Sequence, residues 1–445
     1  MNVTVQPGTL SGRVTVPGSK SHTIRALLVA ALAHGTSRIT GALDSEDTAA
    51  CIRVLQAMGV RIEARACAGA LAVEVGGSAG RLWPPEATLD CANSGTTLYL
   101  ALSLAALQSF PVRFTGDAQL QRRSAGPLLA ALEATGARVD RENGDCVPLT
   151  VTGPIAGGAV TIECPTSQYL SSLLLAAPLC ERGMQITVPL LNERPYVEMT
   201  LGWLQEQGIT VARDGWHRFD VPGGRRYARF TRRVPADFSS ATFFLAAAAA
   251  TGSRLTLEGL EMTDTQGDRE VVRVLERLGC LVETDAHSVA IAGPGYAAGD
   301  RATAATGPAA ATAAALTGGE VDLNAMPDAL PALAVAGTRC RHELRLVNVP
   351  QAREKETDRI AVMARAINGL GGRAEELPDG LVVHPQPLRG GTADSAGDHR
   401  VAMALAVAGL CAEEAVTVTN AEVASVTFPG FYDQLAACGG ALVRK

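Results

Sequence analysis

The basic residues of this chain are almost all arginines, and the few exceptions are candidates for chemistry. Of the 39 lysines and arginines, only Lys20, Lys355 and the C-terminal Lys445 are lysines. Lysine offers a compact ammonium that its surroundings can tune for proton transfer, whereas arginine stays charged and binds anions with a planar fork. Lys20 and Lys355 are therefore the first candidates for functional residues.

A second concentration of reactive side chains surrounds Lys355. Residues 351–359 read QAREKETDR, and six of the seven positions from Arg353 to Arg359 carry charge, although only 19% of the whole chain is charged. A charged segment before a helix is usually a capped surface turn. The alternative is an active-site loop, because proton transfer and anion binding require carboxylates and cations. The segment alone leaves both interpretations open.

The elements that would position these residues repeat six times along the chain. Each repeat begins with small polar or charged residues and continues into an Ala/Leu-rich stretch without charge, which is typical of a capped helix buried nearly all round. In most repeats a β-patterned strand follows, and an amphipathic helix then ends at glycine. The buried helices are predicted within residues 17–35, 92–107, 165–183, 235–252, 327–337 and 397–410.

The size and number of the repeats predict the fold class. Repeats of roughly 70 residues are longer than the usual solenoid repeat of about 20–50 residues, so each is interpreted as a small βαβ-type module. A chain of 445 residues is too long for one ordinary core. We therefore expect an α/β protein of two domains with three modules each, in which the sheets surround a central cluster of helices.

The start of each buried helix carries groups suited to an anion. Helix N-termini offer free N–H donors and partial positive charge. One such cluster is usually just an N-cap, whereas six of them, with Lys20, Arg25 and Arg400 included, favour a ligand with several negative charges. The clusters are Lys20-Ser21, residues 93–96, residues 166–168, Ser239-Ser240, Asp328 and His399-Arg400.

Composition excludes several classes of function. The formal net charge of −6 gives no reason to expect nucleic acid as a partner. No apolar run approaches the length of a membrane span, so neither a membrane partner nor a signal peptide is expected. The ten cysteines include no C-x-x-C pair, so neither a metal site nor a disulfide framework is indicated. A reduced, cytoplasmic setting is expected.

Eight segments, in this order along the chain, resemble the enolpyruvyl transferase family and most closely its shikimate branch. They are PGSKSHTIRALLVAALA, ANSGTT, TSQYLSSLLLAAPL, RPYVEMTL, FSSATFFLAAAA, KETDRI, GDHRVAMAL and TFPGFYDQL, and the resemblance spans residues 12–437. It implies an inside-out α/β barrel in two domains, residues 17–235 and residues 1–16 with 236–445, with the active site in the interdomain cleft. It also implies that no metal or cofactor is needed, and we expect a monomer.

The family reaction moves the enolpyruvyl group of phosphoenolpyruvate to a substrate hydroxyl and releases phosphate through a tetrahedral intermediate. It requires proton transfer and cations for phosphate and carboxylate. By motif position, the resemblance implies catalytic roles for Lys20, Asp328 and Glu356. Phosphoenolpyruvate contacts are implied for Lys20, Gly95, Arg123, Gln168, Arg359 and Arg400. Acceptor contacts are implied for Ser21, Arg25, Thr166, Ser167, Gln168, Glu193, Asp328, Gln351 and Lys355.

Four departures from the shikimate pattern concern the substrates. Glu193 stands where a serine usually helps to hold the acceptor's phosphate, and a carboxylate there would repel a phosphate at close range. Gln351 replaces an asparagine of the acceptor site, and Val426 replaces a lysine that contacts phosphoenolpyruvate. The segment RRSAGPL also differs from the usual sequence after the loop arginine.

These departures leave two acceptors open, both of them phosphorylated alcohols. Shikimate 3-phosphate is the default of the family. The altered contacts favour instead a paralogue that acts on the 3′-hydroxyl of uridine 5′-monophosphate (UMP) in nucleoside-antibiotic biosynthesis. A third hypothesis is a non-catalytic homologue that only binds an anion, but the presence of Lys20, Asp328 and Glu356 argues against it.

Overall fold

The chain forms two compact units. The computed structural model describes residues 1–67, 69–296 and 315–445. The middle unit comprises Gly18–Pro235, and the terminal unit joins Met1–Pro17 to Ala236–Lys445. The first residues of the chain therefore fold with its C-terminal half.

Buried and outer helices alternate along the chain. Those with odd numbers are buried on nearly all faces and lie in the cores of the two units, whereas those with even numbers keep one face exposed. The helices are α1 (Lys20–Leu32), α2 (Glu46–Ala57), α3 (Gly95–Ala106), α4 (Gly126–Ala134), α5 (Ser167–Ala176), α6 (Arg194–Glu206), α7 (Phe238–Thr251), α8 (Glu270–Arg277), α9 (Leu330–Gly337), α10 (Arg359–Gly369), α11 (His399–Cys411) and α12 (Phe431–Ala437).

Side-chain caps begin five of the six buried helices. Ser19, Ser94, Thr166, Asp237 and Asp398 each accept a hydrogen bond from a backbone N–H two or three residues further on. The prediction of a polar cap is wrong for α9, which has no side-chain cap. A 3₁₀ turn at Pro327–Ala329 precedes it. Asp328, within this turn, is engaged by arginines instead.

The strands are short. The first fourteen are β1 (Val3–Val5), β2 (Ser11–Thr15), β3 (His34–Ala42), β4 (Arg61–Cys67), β5 (Ala70–Ser78), β6 (Leu89–Asp90), β7 (Val112–Thr115), β8 (Arg138–Asn143), β9 (Cys146–Thr152), β10 (Gly158–Thr161), β11 (Met184–Thr187), β12 (Ala212–Asp214), β13 (Arg218–Val221) and β14 (Thr231–Arg233). The others are β15 (Arg254–Glu258), β16 (Leu281–Asp285), β17 (Ser288–Ala292), β18 (Gly319–Asp322), β19 (Leu344–Val347), β20 (Arg373–Leu377), β21 (Gly380–His384), β22 (Gly391–Asp394), β23 (Val416–Thr419) and β24 (Leu442–Arg444).

Each unit contains three four-stranded sheets of the same design. In the middle unit the strand orders are β14-β3-β5-β4, β6-β7-β9-β8 and β10-β11-β13-β12. In the terminal unit they are β16-β17-β15-β2, β18-β19-β21-β20 and β22-β23-β1-β24. Every sheet combines one parallel pair at an edge with two antiparallel pairings. The predicted α/β fold of six repeated units, three per domain, is confirmed.

Three sheets are completed by distant parts of the chain. Strand β1 lies between β23 and β24, and β2 pairs in parallel with β15, so the N-terminal segment is an integral part of the terminal unit. Strand β14 likewise adds to β3 and completes the first sheet of the middle unit. Among the described residues, no helix is both long and apolar enough to cross a membrane.

Candidate active site

The guanidinium of Arg359 organises a charged cluster in the terminal unit. Arg359 is the first residue of α10 and its side chain is 1% exposed. Its Nη1 donates to Asp328 Oδ1 at 2.6 Å, its Nη2 to Glu356 Oε2 at 2.6 Å, and its Nε to Asp398 Oδ2 at 2.7 Å. These three acceptors come from different segments, which the arginine holds at fixed positions. The loop QAREKETDR is therefore part of a buried ionic network, and a simple surface turn is excluded.

Asp398 connects this network to the second buried arginine. As the N-cap of α11, it accepts hydrogen bonds from the backbone N–H of Arg400 and Val401. Arg400 Nη2 lies 2.8 Å from Asp328 Oδ2, so both arginines share the carboxylate of Asp328. Within the part of the chain that the structure describes, the buried Nη1 of Arg400 has no hydrogen-bond partner. A buried donor without a partner is costly, which marks this atom as a binding point for an anion.

The carboxylates keep both arginines charged. Burial alone would lower the pKa of Arg359, but attraction to Asp398, Glu356 and Asp328 outweighs it, so the pKa is raised above its ordinary value. Burial likewise opposes charge on Arg400, yet its pKa is raised, chiefly by Asp328. Both guanidiniums are therefore protonated despite complete burial.

Of the other predicted residues of the terminal unit, Gln351 and Val426 lie outside this network. Gln351 is 4% exposed and donates through Nε2 to the backbone oxygen of Asn324, 3.2 Å away. Its buried Oε1 accepts no hydrogen bond from any described residue. Lys355 is half-buried beside Glu356, and Val426 is half-buried at the end of a 3₁₀ turn. Gln351 thus offers an unused acceptor to a ligand hydroxyl.

In the middle unit, Lys20 is held by a carboxylate. It is the first residue of α1, and its Nζ lies 3.0 Å from Asp47 Oδ2, with both side chains largely buried. Asp47 is in the first turn of α2. The ion pair fixes the ammonium beside the N-terminus of α1, as proton transfer at a defined point would require.

The starts of α3 and α5 lie side by side. Gln168 Nε2 donates to Thr96 Oγ1 at 3.2 Å. A Cβ at Gly95 would stand 3.1 Å from Arg123 Nη1 and 3.9 Å from Gln168 Oε1. The structure thus brings together Gly95, Arg123 and Gln168, as the resemblance implied, and glycine lets the guanidinium approach the start of α3.

Two tyrosines hold the loop that carries Arg123. The hydroxyls of Tyr99 in α3 and Tyr169 in α5 both donate to the backbone oxygen of Ser124, at 3.1 and 2.6 Å. Their rings pack edge to face with centroids 5.1 Å apart. Arg123 itself donates to Asn93 Oδ1 at 3.0 Å. Its position is therefore set by two buried helices and a side-chain hydrogen bond.

Arg25 is a cation buried among neutral oxygens. It donates to Thr200 Oγ1, Ser171 Oγ and the backbone oxygens of Ser21 and Tyr196. Burial lowers its pKa to about 10, and attraction to Glu193 opposes part of that effect. The guanidinium therefore remains a source of positive charge next to Ser21.

Glu193 caps the start of α5 from outside the helix. One oxygen, Oε2, accepts hydrogen bonds from Thr166 Oγ1 at 3.1 Å, the backbone N–H of Ser167 at 3.1 Å and Ser167 Oγ at 2.8 Å. The predicted acceptor residues Thr166 and Ser167 are thus in contact with a carboxylate of the protein itself.

Sequence reasoning missed several residues of the two clusters. Asp398 stands directly before a buried helix within the quoted segment GDHRVAMAL, and the preference for aspartate at the N-cap could have revealed it. Asp47, Tyr99 and Tyr169 are partners of residues far along the chain, and no local pattern distinguishes them from ordinary helical residues.

Six α/β modules that gather cations, carboxylates and hydroxyls at the starts of buried helices define a two-unit α/β protein whose helix starts carry groups suited to small anions. Residues 5–435 match the model of the family EPSP synthase (3-phosphoshikimate 1-carboxyvinyltransferase). The chain belongs to the EPSP synthase family, so the resemblance seen in the sequence is confirmed.

Individual relatives cover the whole chain. A 3-phosphoshikimate 1-carboxyvinyltransferase of Acetivibrio thermocellus is 43% identical over 441 residues, which are 99% of this chain and 98% of the relative. One of the same name from Ruminiclostridium cellulolyticum is 40% identical and covers 99% of both chains. The solved structure of EPSP synthase from Acinetobacter baumannii superposes with a TM-score of 0.78, at 27% identity, and covers 100% of both chains.

Proposed function

We propose that this chain is a carboxyvinyltransferase that moves the enolpyruvyl group of phosphoenolpyruvate to a hydroxyl of shikimate 3-phosphate and releases phosphate. The observation that carries the proposal is the match to the EPSP synthase family over residues 5–435, together with relatives of that activity at 43% and 40% identity. The names of these relatives give no support to UMP as the acceptor.

The reaction needs acids, bases and cations, and these are present in the Arg359 network of the terminal unit and at the helix starts of the middle unit. The acceptor hydroxyl gives its proton to a base and its oxygen adds to C2 of phosphoenolpyruvate, while C3 gains a proton from an acid, which gives a tetrahedral intermediate. Loss of a proton from C3 and cleavage of the C–O bond to phosphate then form the enol ether and inorganic phosphate. Both steps require positioned acids and bases, and the oxyanions require cations. We assign the proton transfers to Lys20, Asp328 and Glu356.

Binding roles are proposed for each unit separately. In the terminal unit, Arg359 and Arg400 are assigned to phosphoenolpyruvate, and Gln351, Lys355 and Asp328 to the acceptor. The unpartnered Nη1 of Arg400 and Oε1 of Gln351 support this division, since the first suits an anion and the second a hydroxyl.

The middle unit is assigned binding roles for both substrates. Lys20, Gly95, Arg123 and Gln168 are proposed to contact phosphoenolpyruvate, which the approach of Arg123 to Gly95 supports. Ser21, Arg25, Thr166, Ser167 and Gln168 are proposed to contact the acceptor, and Glu193 is proposed to line the acceptor site. We further propose that the enzyme needs no metal or cofactor, because side chains can supply both the charge and the proton transfer. We also propose that it acts as a monomer in the cytoplasm.

The decisive experiment measures phosphate release from phosphoenolpyruvate in the presence of shikimate 3-phosphate, with UMP as the control acceptor. We expect turnover with shikimate 3-phosphate and none with UMP. In Asp328→Asn, which keeps the shape of the side chain, we expect kcat to fall about 10²–10⁴-fold because a proton-transfer group is lost. Absence of phosphate release by the unchanged enzyme would refute the proposed function.

A further inference from the structure

The start of α5 is occupied by an anion that belongs to the protein. Three donors, the hydroxyls of Thr166 and Ser167 and the N–H of Ser167, converge on the single oxygen Oε2 of Glu193. Glu193 is 2% exposed, so water does not compete for these bonds. Convergent donors at a helix N-terminus select negatively charged oxygen. The carboxylate therefore fills a site whose chemistry suits an anionic ligand.

The backbone holds Glu193 in this place at a cost. Its φ of 57° and ψ of 42° lie in the left-handed region. Asparagine is tolerated there, and the region is occupied at Asn348 and Asn420 of this chain as well as at three alanines. Glutamate has no such preference, and strained residues of this kind concentrate at ligand-binding and switching positions. This conformation places the carboxylate over the start of α5, where it accepts the hydrogen bond from the N–H of Ser167.

Charge balance makes the carboxylate a competitor of other anions. Its negative charge acts on the buried Arg25, whose own hydrogen bonds go to neutral oxygens. While Glu193 is in place, the donors at α5 are engaged, and a second anion nearby would meet like charge in a buried environment. If Glu193 leaves, the same donors and Arg25 become available to an anion from solution.

We propose that Glu193 is a specificity-determining residue that acts as an internal competitor at the start of α5. The anionic group of the acceptor and the carboxylate of Glu193 exclude each other from Thr166 and Ser167. Acceptor binding therefore requires the carboxylate to leave, and the affinity for anionic acceptors is lower than the donors would otherwise allow. The identity of the acceptor rests on the proposed function, whereas the competition itself does not.

A binding experiment tests the competition without turnover. Inorganic phosphate is titrated calorimetrically into the enzyme and into Glu193→Ser, which removes both charge and bulk, and Glu193→Gln, which removes the charge alone. We expect phosphate to bind about tenfold or more tightly to Glu193→Ser, with an intermediate gain for Glu193→Gln, because like charges close together oppose binding strongly. If Glu193→Ser does not fold, the phosphate affinity of Glu193→Gln still tests the proposal.

The matched control is Glu198→Gln. Glu198 lies on the same helix, α6, but its exposed carboxylate pairs with Arg213 at 2.7 Å. This variant also loses one negative charge, so it should bind phosphate as the unchanged enzyme does. Equal affinities of all the variants for phosphate would overturn the proposal. So would an equal gain in Glu198→Gln, because net charge alone would then explain the effect.

A kinetic experiment links the competition to catalysis. In Glu193→Ser we expect the KM for shikimate 3-phosphate to fall about tenfold, while the KM for phosphoenolpyruvate changes less than about twofold. A purely structural glutamate would instead lower kcat or thermal stability and leave the two KM values in the same ratio, which would count against the proposal. If the unchanged enzyme releases no phosphate with shikimate 3-phosphate, the proposed function fails, and the phosphate titration still tests the competition.

Discussion

The two units differ in the groups that they could present to an anion. In the terminal unit, the arginines Arg359 and Arg400 are surrounded by the carboxylates of Asp328, Glu356 and Asp398. The middle unit relies on helix starts, hydroxyls and amides, together with the Lys20–Asp47 pair and with Arg25 and Arg123, which donate to neutral oxygens. The first arrangement is an ionic network, and the second is a set of dipoles with few charges.

This difference predicts how each cluster responds to substitution. Removal of one partner from a buried ionic network leaves charges without compensation, so both fold and function should suffer. Caps and hydroxyls contribute about 1 kcal/mol each. Substitutions in the middle unit can therefore change activity while the unit stays folded. Variants that separate stability from activity test this comparison.

The largest expected effect is that of Arg359→Leu. The variant leaves the buried carboxylates of Asp328, Glu356 and Asp398 without their shared cation, and we expect a loss of about 3–5 kcal/mol of unfolding free energy together with loss of turnover. Urea unfolding is followed by far-UV circular dichroism and by tryptophan fluorescence. All three tryptophans, Trp83, Trp203 and Trp216, lie in the middle unit, so the circular dichroism midpoint should fall further than the fluorescence midpoint.

Arg353→Leu is the matched control for Arg359→Leu. Arg353 belongs to the same charged segment and pairs with Asp358 and Glu376, but all three side chains are substantially exposed. Exposed ion pairs contribute about 0–1 kcal/mol, so this variant should unfold close to the unchanged protein. Equal urea midpoints for the two variants would contradict the view that the terminal unit depends on its ionic network.

A smaller overall effect, confined to activity, is expected for Lys20→Arg in the middle unit. The positive charge opposite Asp47 is kept, so thermal stability should change little. The larger guanidinium is always protonated and cannot return the proton. We therefore expect kcat in the phosphate-release assay to fall about 10²-fold or more.

Lys445→Arg provides the comparison for Lys20→Arg, because Lys445 is the exposed C-terminal lysine. It should retain full activity and stability. If Lys20→Arg were equally active, the catalytic role of Lys20 would be wrong. If it were unfolded, the middle unit would depend on its ion pair as the terminal unit does, and the contrast between the two units would disappear.

Sequence could predict the elements because their signals are local. The Ala/Leu-rich stretches without charge predicted the six buried helices, and the polar residues before them predicted most of the caps. The predicted cap of α9 was wrong. Asp328 resembles an N-cap in the sequence, but its side chain pairs with two arginines that lie 31 and 72 positions later in the chain. Local preference was overridden by a long-range ion pair.

The site itself was predictable only in part. The motifs identified Arg359, Glu356 and Arg400 through the family resemblance, and the structure places them in one network. Partners such as Asp47 remained hidden because a pairing across 27 positions leaves no local pattern. For Glu193, charge alone predicted repulsion of a phosphate. That its carboxylate occupies the start of α5 depends on a backbone conformation that glutamate does not favour, so sequence could not reveal it.

The smallest expected effect distinguishes a ligand contact from a packing residue in the terminal unit. In Gln351→Leu, a buried oxygen without a partner among the described residues is lost, along with one hydrogen bond to Asn324. These changes nearly compensate, so stability should change by less than about 1 kcal/mol. If Oε1 accepts a hydrogen bond from the acceptor, the KM for shikimate 3-phosphate should rise about tenfold, because the ligand hydroxyl would then be left unpaired.

Gln108→Leu in the middle unit is the matched control, because it should lower stability and leave the KM values unchanged. Gln108 is equally buried, but its Oε1 accepts from the N–H of Leu82 and its Nε2 donates to Gly80. Its loss leaves these partners unpaired, so we expect about 1–3 kcal/mol of destabilisation and unchanged KM values. If Gln351→Leu were destabilised as much as Gln108→Leu with no change in KM, Gln351 would be a packing residue. The terminal unit would then contact its ligands through the ionic network without it.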